Sequence, residues 1–305
     1  MNLLIPLMRR EWLQHRFGWT MLAMVPLALA LLLFTFGQVE LSDVDTLPPD
    51  ALAVLAAMVT IAGSTLIIFL TLWVTSLIIV SGLPRRDHGD RSIEFWLSLP
   101  ISHARSLLAP MIVHLVLVPL VAFAAALVAG FLLAMLLVAR VHGLADGFAV
   151  PAGEVWTSVA VAVVRVGAGW PMVILWLSPL ILLAMLMFAW LRRWGLVVLG
   201  LALAVGSSRL GEILGYRMVP DALAALTRGA ARSLISGNDQ SVAMPSQADE
   251  AVRFSMQQAP SWLLQDILGS VQNMASPAFV GGLLLAGLCF YGLVQWRRRG
   301  ASTAV

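Results

Sequence analysis

Few side chains in this sequence are of types that perform chemistry, and their spacing matches no catalytic signature. The five histidines, at positions 15, 88, 103, 114 and 142, include no two at a metal-ligand spacing on one predicted helix. The sequence has no H-E-x-x-H motif, no G-x-S-x-G motif and one cysteine, Cys289, which excludes an internal disulfide. We therefore predict that the chain is not itself an enzyme.

Lysine is absent, and all 19 basic residues are arginine. A Walker A loop needs a lysine against the phosphates of its nucleotide. If ATP is used through such a loop, another chain must bind it with its magnesium ion, so we predict no cofactor on this chain. The arginines lie in short clusters between apolar runs, which is typical of membrane topology signals and not of a nucleic-acid surface.

Two polar residues stand inside apolar runs. His114, in PMIVHLVLVP, is a functional candidate because polar groups at membrane depth are rare, but a hydrogen bond to a neighbouring helix also explains it. Arg165, in VAVAVVRVGAGW, would extend to the polar surface if its segment were an external interfacial helix. No carboxylate falls deep within a predicted span, which disfavours the proton relay of an ion-coupled carrier.

The elements that must position these residues are membrane helices. Hydrophobic residues make up 60% of the 305-residue chain and charged residues 11%, with a mean hydropathy of +0.91. Apolar runs of membrane-crossing length predict an all-α, polytopic membrane protein with six spans. The predicted spans are residues 19–36, 52–83, 107–139, 171–191, 194–208 and 278–296. The fifth is short, about 22 Å at 1.5 Å per residue, so it continues through RLGEIL or is re-entrant.

The distribution of charge predicts the topology. With the N-terminus inside, the cytoplasmic segments carry twelve arginines and four acidic residues, a net charge of +8, and the opposite side carries −5. Both termini are then cytoplasmic, and residues 1–305 form a single transmembrane domain. It would begin with an amphipathic helix at residues 1–18, carry a cytoplasmic loop at 84–104, and have an extracytoplasmic segment at 209–276 between spans five and six.

The cytoplasmic loop contains the sequence PRRDHGDRSIEFWLSLP, residues 84–100, whose second half is apolar. Exposed to water, these side chains would form a larger patch than a lone monomer usually tolerates. Asp90 or Ser92 can cap a short helix that Pro100 limits, and Phe95 and Trp96 are residue types that dominate interface energies. The pattern favours contact with a protein partner; the alternative is an interfacial helix that anchors the loop in the headgroup layer.

This loop, RRDHGDRSIEFWLSLPIS, resembles the first cytoplasmic loop of ABC transporter permeases of the type-2 exporter class, in their bacterial branch. WLSPLILLAMLMFAWLRRWGLVVLGLALAV is similar to the fourth and fifth spans of that branch, with Arg192 and Arg193 at the cytoplasmic turn and Glu212 soon after. The N-terminal LMRREWLQHRFGW also resembles the family. The similarity covers most of the chain up to about Gly215.

The resemblance implies a homodimer of six-span subunits in the inner (cytoplasmic) membrane, each docked onto a separate ABC ATPase subunit. It implies that the loop forms the coupling helix that contacts the ATPase. The residues carried over to this contact are Asp90, Arg91, Ser92, Ile93, Glu94, Phe95, Trp96, Leu97, Ser98 and Leu99. Glu212 becomes a possible gate residue. Residues 209–276 match the family weakly, which leaves the gate and the substrate open.

The function predicted in this way is export of an amphipathic or hydrophobic molecule, such as a lipid, drug or peptide, taken from the membrane. A first alternative is a non-transporting membrane scaffold or sensor subunit that binds a cytoplasmic partner. A second is a polytopic membrane enzyme, which would need His114 paired with a nucleophile or a metal inside the bilayer. Ion-coupled transport is a third.

Overall fold

In a computed structural model of the chain, residues 4–37, 49–89, 102–143, 152–191, 194–206, 218–234 and 263–302 are described. They form helices, and no β-strand occurs among them. Within these residues, five helical segments are long and apolar enough to cross a membrane. The protein is therefore an all-α, multi-pass membrane protein, as its composition predicts.

The helices are numbered here in chain order. They are α1 Leu4–Phe36, α2 Pro49–Gly89, α3 His103–Ile112, a π-helical turn Val113–Leu117, α4 Val118–His142, α5 Ala152–Leu191, α6 Gly195–Gly206, α7 Met218–Leu234, α8 263–273 and α9 Pro277–Ser302. The membrane-crossing segments are Leu4–Leu33, Ala56–Arg86, His103–Arg140, Val159–Leu191 and Pro277–Arg298. They contain or overlap the predicted spans one, two, three, four and six.

The predicted fifth span corresponds to α6, which has 12 residues. At 1.5 Å per residue α6 is about 18 Å long, shorter than the roughly 30 Å hydrocarbon core of a bilayer. The described residues of α6 are therefore too few to cross the bilayer without additional residues. Residues 207–217, which include the RLGEIL extension that the prediction allows, lie outside the described part of the chain.

The N-terminal segment and the first span form one helix. The 33 residues of α1 continue without interruption from Leu4 to Phe36, so residues 4–18 of the predicted amphipathic helix are not a separate element.

Contacts near the helix ends fix the direction in which the helices run. Glu11 of α1 meets Arg86 of α2, while at the opposite end Arg140 of α4 donates to the carbonyl oxygen of Gly37, 3.0 Å away. We call the end that carries Arg85, Arg86 and Arg297 the basic end, and the opposite end the far end. Helices α1 and α2 are thus antiparallel, and so are α2 and α4.

Helices α5 and α9 run parallel to each other. A Cβ placed on Gly282 would lie 3.5 Å from Cγ of Pro179, and one on Gly292 would lie 3.4 Å from a methyl of Leu186. Contacts therefore advance along both helices in the same direction, and both helices finish at the basic end. This arrangement constrains the chain that connects them.

A π-helical turn interrupts the third membrane-crossing segment. The N–H of Val118 donates to the carbonyl of Val113, five residues earlier. Pro119 has no N–H, so the carbonyl of Leu115 loses the donor that an α-helix would supply. The indole Nε1–H of Trp170, on α5, donates to that carbonyl at 2.9 Å. The buried acceptor is satisfied from another helix, which also fixes α5 against the turn.

Close packing between α2 and α4 depends on a residue without a side chain. A Cβ on Gly130 would lie 3.1 Å from the Cα of Ile61, tighter than side chains normally allow. Small residues let membrane helices approach each other closely, because dispersion contacts and not the hydrophobic effect drive their association. This contact holds the far half of α2 against α4.

Candidate functional site

A buried ionic pair at the basic end joins α1 to α2. The Glu11 carboxylate is 3% exposed, and Arg86 approaches it with two nitrogens. Nη1 donates to Oε1 at 2.5 Å and Nη2 donates to Oε2 at 2.9 Å. This two-pronged arrangement is the strong geometry for an arginine and a carboxylate, and it fixes both side chains.

Two histidines complete the cluster. His114, in the π-helical turn, is 0% exposed, and its Nε2 lies 3.0 Å from Oε1 of Glu11. An ionised carboxylate only accepts hydrogen bonds, so Nε2 of His114 carries the proton. His15, one turn after Glu11 on α1, has its Nε2 3.5 Å from the same oxygen. The prediction that His114 bonds to a neighbouring helix is confirmed.

Aromatic rings surround His114. The ring centroids of His15 and Trp19 lie 5.2 and 5.1 Å from that of His114. Glu11, His15 and Trp19 are four residues apart along α1 and therefore share one face. This spacing is visible in the sequence, but amphipathic patterning of residues 1–18 alone does not single out Glu11 as a buried residue.

Arg85, the residue beside Arg86, binds the ends of two other helices. Its Nη2 donates to the carbonyl of Ala189 at 2.6 Å, and its Nε lies 3.0 Å from the same oxygen. A cation at the last turn of α5 also complements the partial negative charge of that helix end. On the other side, the guanidinium carbon lies 5.7 Å from the ring centroid of Trp296 of α9, a cation–π distance.

Arg85 and Arg86 together form what we call the arginine hub. It connects α2 to α1 through Glu11, to the π-helical turn through Glu11 and His114, to α5 through its terminal carbonyls, and to α9 through Trp296. Residues 90–101, which follow α2, lie outside the described residues. After them Ser102 caps the start of α3, and its hydroxyl accepts a weak hydrogen bond from the N–H of Arg105 at 3.4 Å.

Glu11, His15 and His114 are also the residues that are able to hold a metal ion. One donor atom from each lies within 4.8 Å of the others, although no two histidines share a helix. The guanidinium of Arg86 already contacts both oxygens of Glu11 and lies 3.5 Å from Nε2 of His15. A divalent cation would have to displace this charge, so we assign the cluster to joining helices.

Arg165 lies in a second buried cluster, toward the far end. The prediction that its side chain extends to the polar surface is wrong, because Arg165 is 6% exposed and pairs with Asp266 of α8 at 2.6 Å. Its Nη1 donates to the carbonyl of Ser233 at 2.6 Å. Its Nη2 donates to the carbonyl of Arg232 at 2.9 Å and to the hydroxyl of Ser270 at 3.1 Å. One side chain of α5 thus holds the end of α7 and the middle of α8.

The residues predicted to contact an ATPase lie outside the described part of the chain. They are Asp90, Arg91, Ser92, Ile93, Glu94, Phe95, Trp96, Leu97, Ser98 and Leu99. The same holds for Arg192 and Arg193, between α5 and α6, and for the possible gate residue Glu212. Their roles remain predictions, and the arginine hub ends four residues before the first group.

Comparison of the chain with protein-family models, curated proteins and solved structures finds no match.

Proposed function

We propose that this protein is the membrane-spanning permease subunit of an ATP-driven exporter, of the kind formed by type-2 ABC transporters. One observation carries the proposal. The arginine hub, at the start of the predicted cytoplasmic loop and just before the predicted coupling helix, binds the ends of three other membrane-crossing segments. A displacement of the loop would act on α1, α5 and α9 through two adjacent side chains. A loop that only connects two spans does not need these contacts.

In this proposal, residues 92–99 form the coupling helix, and Phe95 and Trp96 enter a groove of a separate ATPase subunit. ATP and its magnesium ion are bound by that subunit. Closure of the ATPase moves the end of α2, and the Glu11–Arg86 pair passes the movement to α1. The substrate is an amphipathic or hydrophobic molecule taken from the bilayer, and two copies of the chain form the transport path in the inner membrane.

A six-span topology belongs to the same proposal. Because α5 and α9 run parallel, the chain between residues 191 and 277 must return from the basic end to the far end. We propose that α6 and the residues after it make this crossing, which puts both termini on the side of the basic end. Arg192 and Arg193 then mark a cytoplasmic turn, and Glu212 lies toward the exit side.

Cysteine labelling in intact cells tests this topology. In a Cys289→Ala background, Ser246→Cys and Ser302→Cys should react differently with a membrane-impermeant maleimide. We expect labelling of the first residue from outside and of the second only after permeabilisation. Labelling of both from the same side would overturn the six-span arrangement.

Substitution of Phe95 and Trp96 tests the coupling role. We expect Phe95→Asp/Trp96→Asp to abolish co-purification of an ATPase subunit with the full-length chain and to remove substrate-stimulated ATP hydrolysis. Burying two new charges in an apolar groove opposes docking strongly. Ser102→Asp is the matched control, because it adds a charge beside the loop and keeps an N-cap residue on α3.

Undiminished docking and hydrolysis in the Phe95→Asp/Trp96→Asp variant would overturn the coupling assignment. If an intact complex hydrolysed ATP without any dependence on a substrate and moved none across vesicles, the scaffold or sensor alternative would replace export. Vesicles that contain the purified complex and a fluorescent lipid provide this measurement.

A further inference from the structure

A cavity of about 360 Å³ lies among α2, α4 and α5, with Leu234 of α7 at its wall. This volume is in the range of sites that bind small ligands. Its lining includes Ile61, Thr65, Phe69, Phe123, Leu127 and Val166. No charged side chain lines the cavity among the described residues, so the part of a ligand that enters it is uncharged.

Thr65 is the polar residue in this lining, and its hydroxyl differs in hydrogen bonding from other hydroxyls on α2. Ser64, Thr71 and Thr75 of α2 each donate to the carbonyl four residues earlier, at 2.7 to 2.8 Å. Thr65 is 7% exposed, and its hydroxyl has no hydrogen-bond partner among the described residues. Buried hydroxyls are normally paired, so this one is available to a ligand.

The cavity opens beside exposed apolar side chains of a membrane-crossing segment. Leu66, which lines it, is 57% exposed, and its neighbour on the same helix, Val59, is also exposed. On α5, the lining residues Val159, Ala162 and Val166 are partly exposed. An apolar rim on a membrane-crossing segment contacts lipid tails, so a molecule enters this cavity sideways from the bilayer.

We propose that this cavity binds one acyl chain of a bilayer phospholipid and that Thr65 hydrogen-bonds to the ester carbonyl of that chain. An acyl chain matches the uncharged lining, and its carbonyl is the acceptor that the free hydroxyl of Thr65 lacks. The headgroup stays at the membrane surface, outside the cavity. The proposal goes beyond export and does not depend on it, because the site is formed within one chain.

Photo-crosslinking of the full-length chain in phosphatidylcholine nanodiscs tests the proposal. The probe is phosphatidylcholine with a diazirine on one acyl chain, present at a few mole per cent, and the labelled peptides are mapped by mass spectrometry. We expect labelling concentrated on residues 58–69 and 159–166. Excess unlabelled phosphatidylcholine should suppress it, since one site is saturable.

Two pairs of variants make the result specific. Ala162→Phe fills the cavity and should reduce its labelling to the level of the exposed helix surface, whereas Ala160→Phe, on the exposed side of α5, should not. Thr65→Val should weaken retention of the lipid by about fivefold, from the loss of one hydrogen bond. Thr71→Val is its control, because that hydroxyl already donates to a backbone carbonyl.

Unchanged labelling of the cavity in Ala162→Phe, with normal helical content by circular dichroism, would overturn the site. Equal labelling of every exposed apolar face would overturn it too, because it would indicate only the annular lipid of a membrane protein. Efficient disulfide formation between two chains through Leu66→Cys, in a Cys289→Ala background, would assign the opening to a subunit interface and exclude the lipid.

Discussion

The two buried ionic clusters join helices in different ways. At the basic end, Arg86 meets Glu11 while keeping 22% of its side chain exposed, so water still reaches part of the guanidinium. Toward the far end, Arg165 and Asp266 keep only 7% and 8% of their side chains exposed. The first pair shares its carboxylate with histidine rings, and the second adds backbone carbonyls and a hydroxyl.

This difference in exposure predicts that the Glu11–Arg86 pair separates more easily than the Arg165–Asp266 pair. Because the Arg86 guanidinium already reaches water, it is rehydrated when the pair separates, and breaking this pair costs less than breaking one in which both partners are buried. When a fully buried pair opens, each charge stays away from water and loses its oppositely charged partner, which makes separation very unfavourable. We infer that the basic end is built to change its contacts and that the cluster around Arg165 holds α7 and α8 firmly against α5.

The largest predicted effect comes from removing Arg165. We expect Arg165→Ala to destabilise the protein by about 3 to 5 kcal/mol, because it leaves the Asp266 carboxylate buried without its cation. Thermal unfolding in detergent and proteolysis of α8 measure this. Arg228→Ala, at an exposed position of the neighbouring helix α7, is the control and should change stability little.

Arg165→Met/Asp266→Leu should recover most of that loss, since apolar residues of similar size replace both charges. If the double variant were no more stable than Arg165→Ala, the hydrogen bonds to the α7 carbonyls, and not the ion pair, would be the main source of stability.

The next effect is expected from Glu11→Gln. Replacing the carboxylate removes charge-assisted hydrogen bonds to Arg86 that contribute about 2 kcal/mol, less than the loss at Arg165 because Arg86 regains water. We expect a proportionally larger loss of ATPase coupling than of stability, measured on the same preparation. A stability loss equal to that of Arg165→Ala would contradict the distinction between the two clusters.

A smaller effect should follow Trp170→Phe, which removes the donor to the Leu115 carbonyl. We expect a destabilisation of about 1 to 2 kcal/mol, from one buried acceptor left unpaired. Trp176→Phe deletes the same atoms, and its Nε1 has no hydrogen-bond partner among the described residues. Equal effects of the two substitutions on thermal unfolding would show that ring volume matters and the hydrogen bond does not.

The smallest expected effect is that of Ser102→Ala, which removes the N-cap of α3 beside the coupling loop. We expect about 0.5 to 1 kcal/mol in unfolding free energy, since the observed hydrogen bond is long. Ser102→Asp should retain the stability of the cap. A loss of several kcal/mol would mean that the start of α3 is as rigidly held as the far end.

Much of the fold followed from the sequence because long apolar runs permit few alternatives to membrane helices. The bonding of His114 to another helix was also predictable, since a polar ring at that depth requires a partner. The fifth span was not settled, because its apolar run is shorter than a bilayer is thick.

The sites were harder to predict because their partners are distant in sequence. Asp266 lies about a hundred residues after Arg165, and nothing in either local pattern connects them. Arg85 binds backbone carbonyls at the end of α5. Every residue type has such a carbonyl, so the sequence does not indicate which one an arginine will bind. Glu11 is the one acidic residue in a segment with three arginines, and only its spacing to His15 and Trp19 indicates that the three share a face.

The π-helical turn at Val113–Leu117 has a consequence for the phase of the span that contains it. One α-helical residue corresponds to about 100° of rotation, so the residue added in the turn rotates everything after it by that angle relative to everything before it. This offset lets a single span aim His114 at α1 and, further on, Gly130 at α2. Deleting one residue there would turn the second half away from its partner, so this span should tolerate substitution better than a change in length.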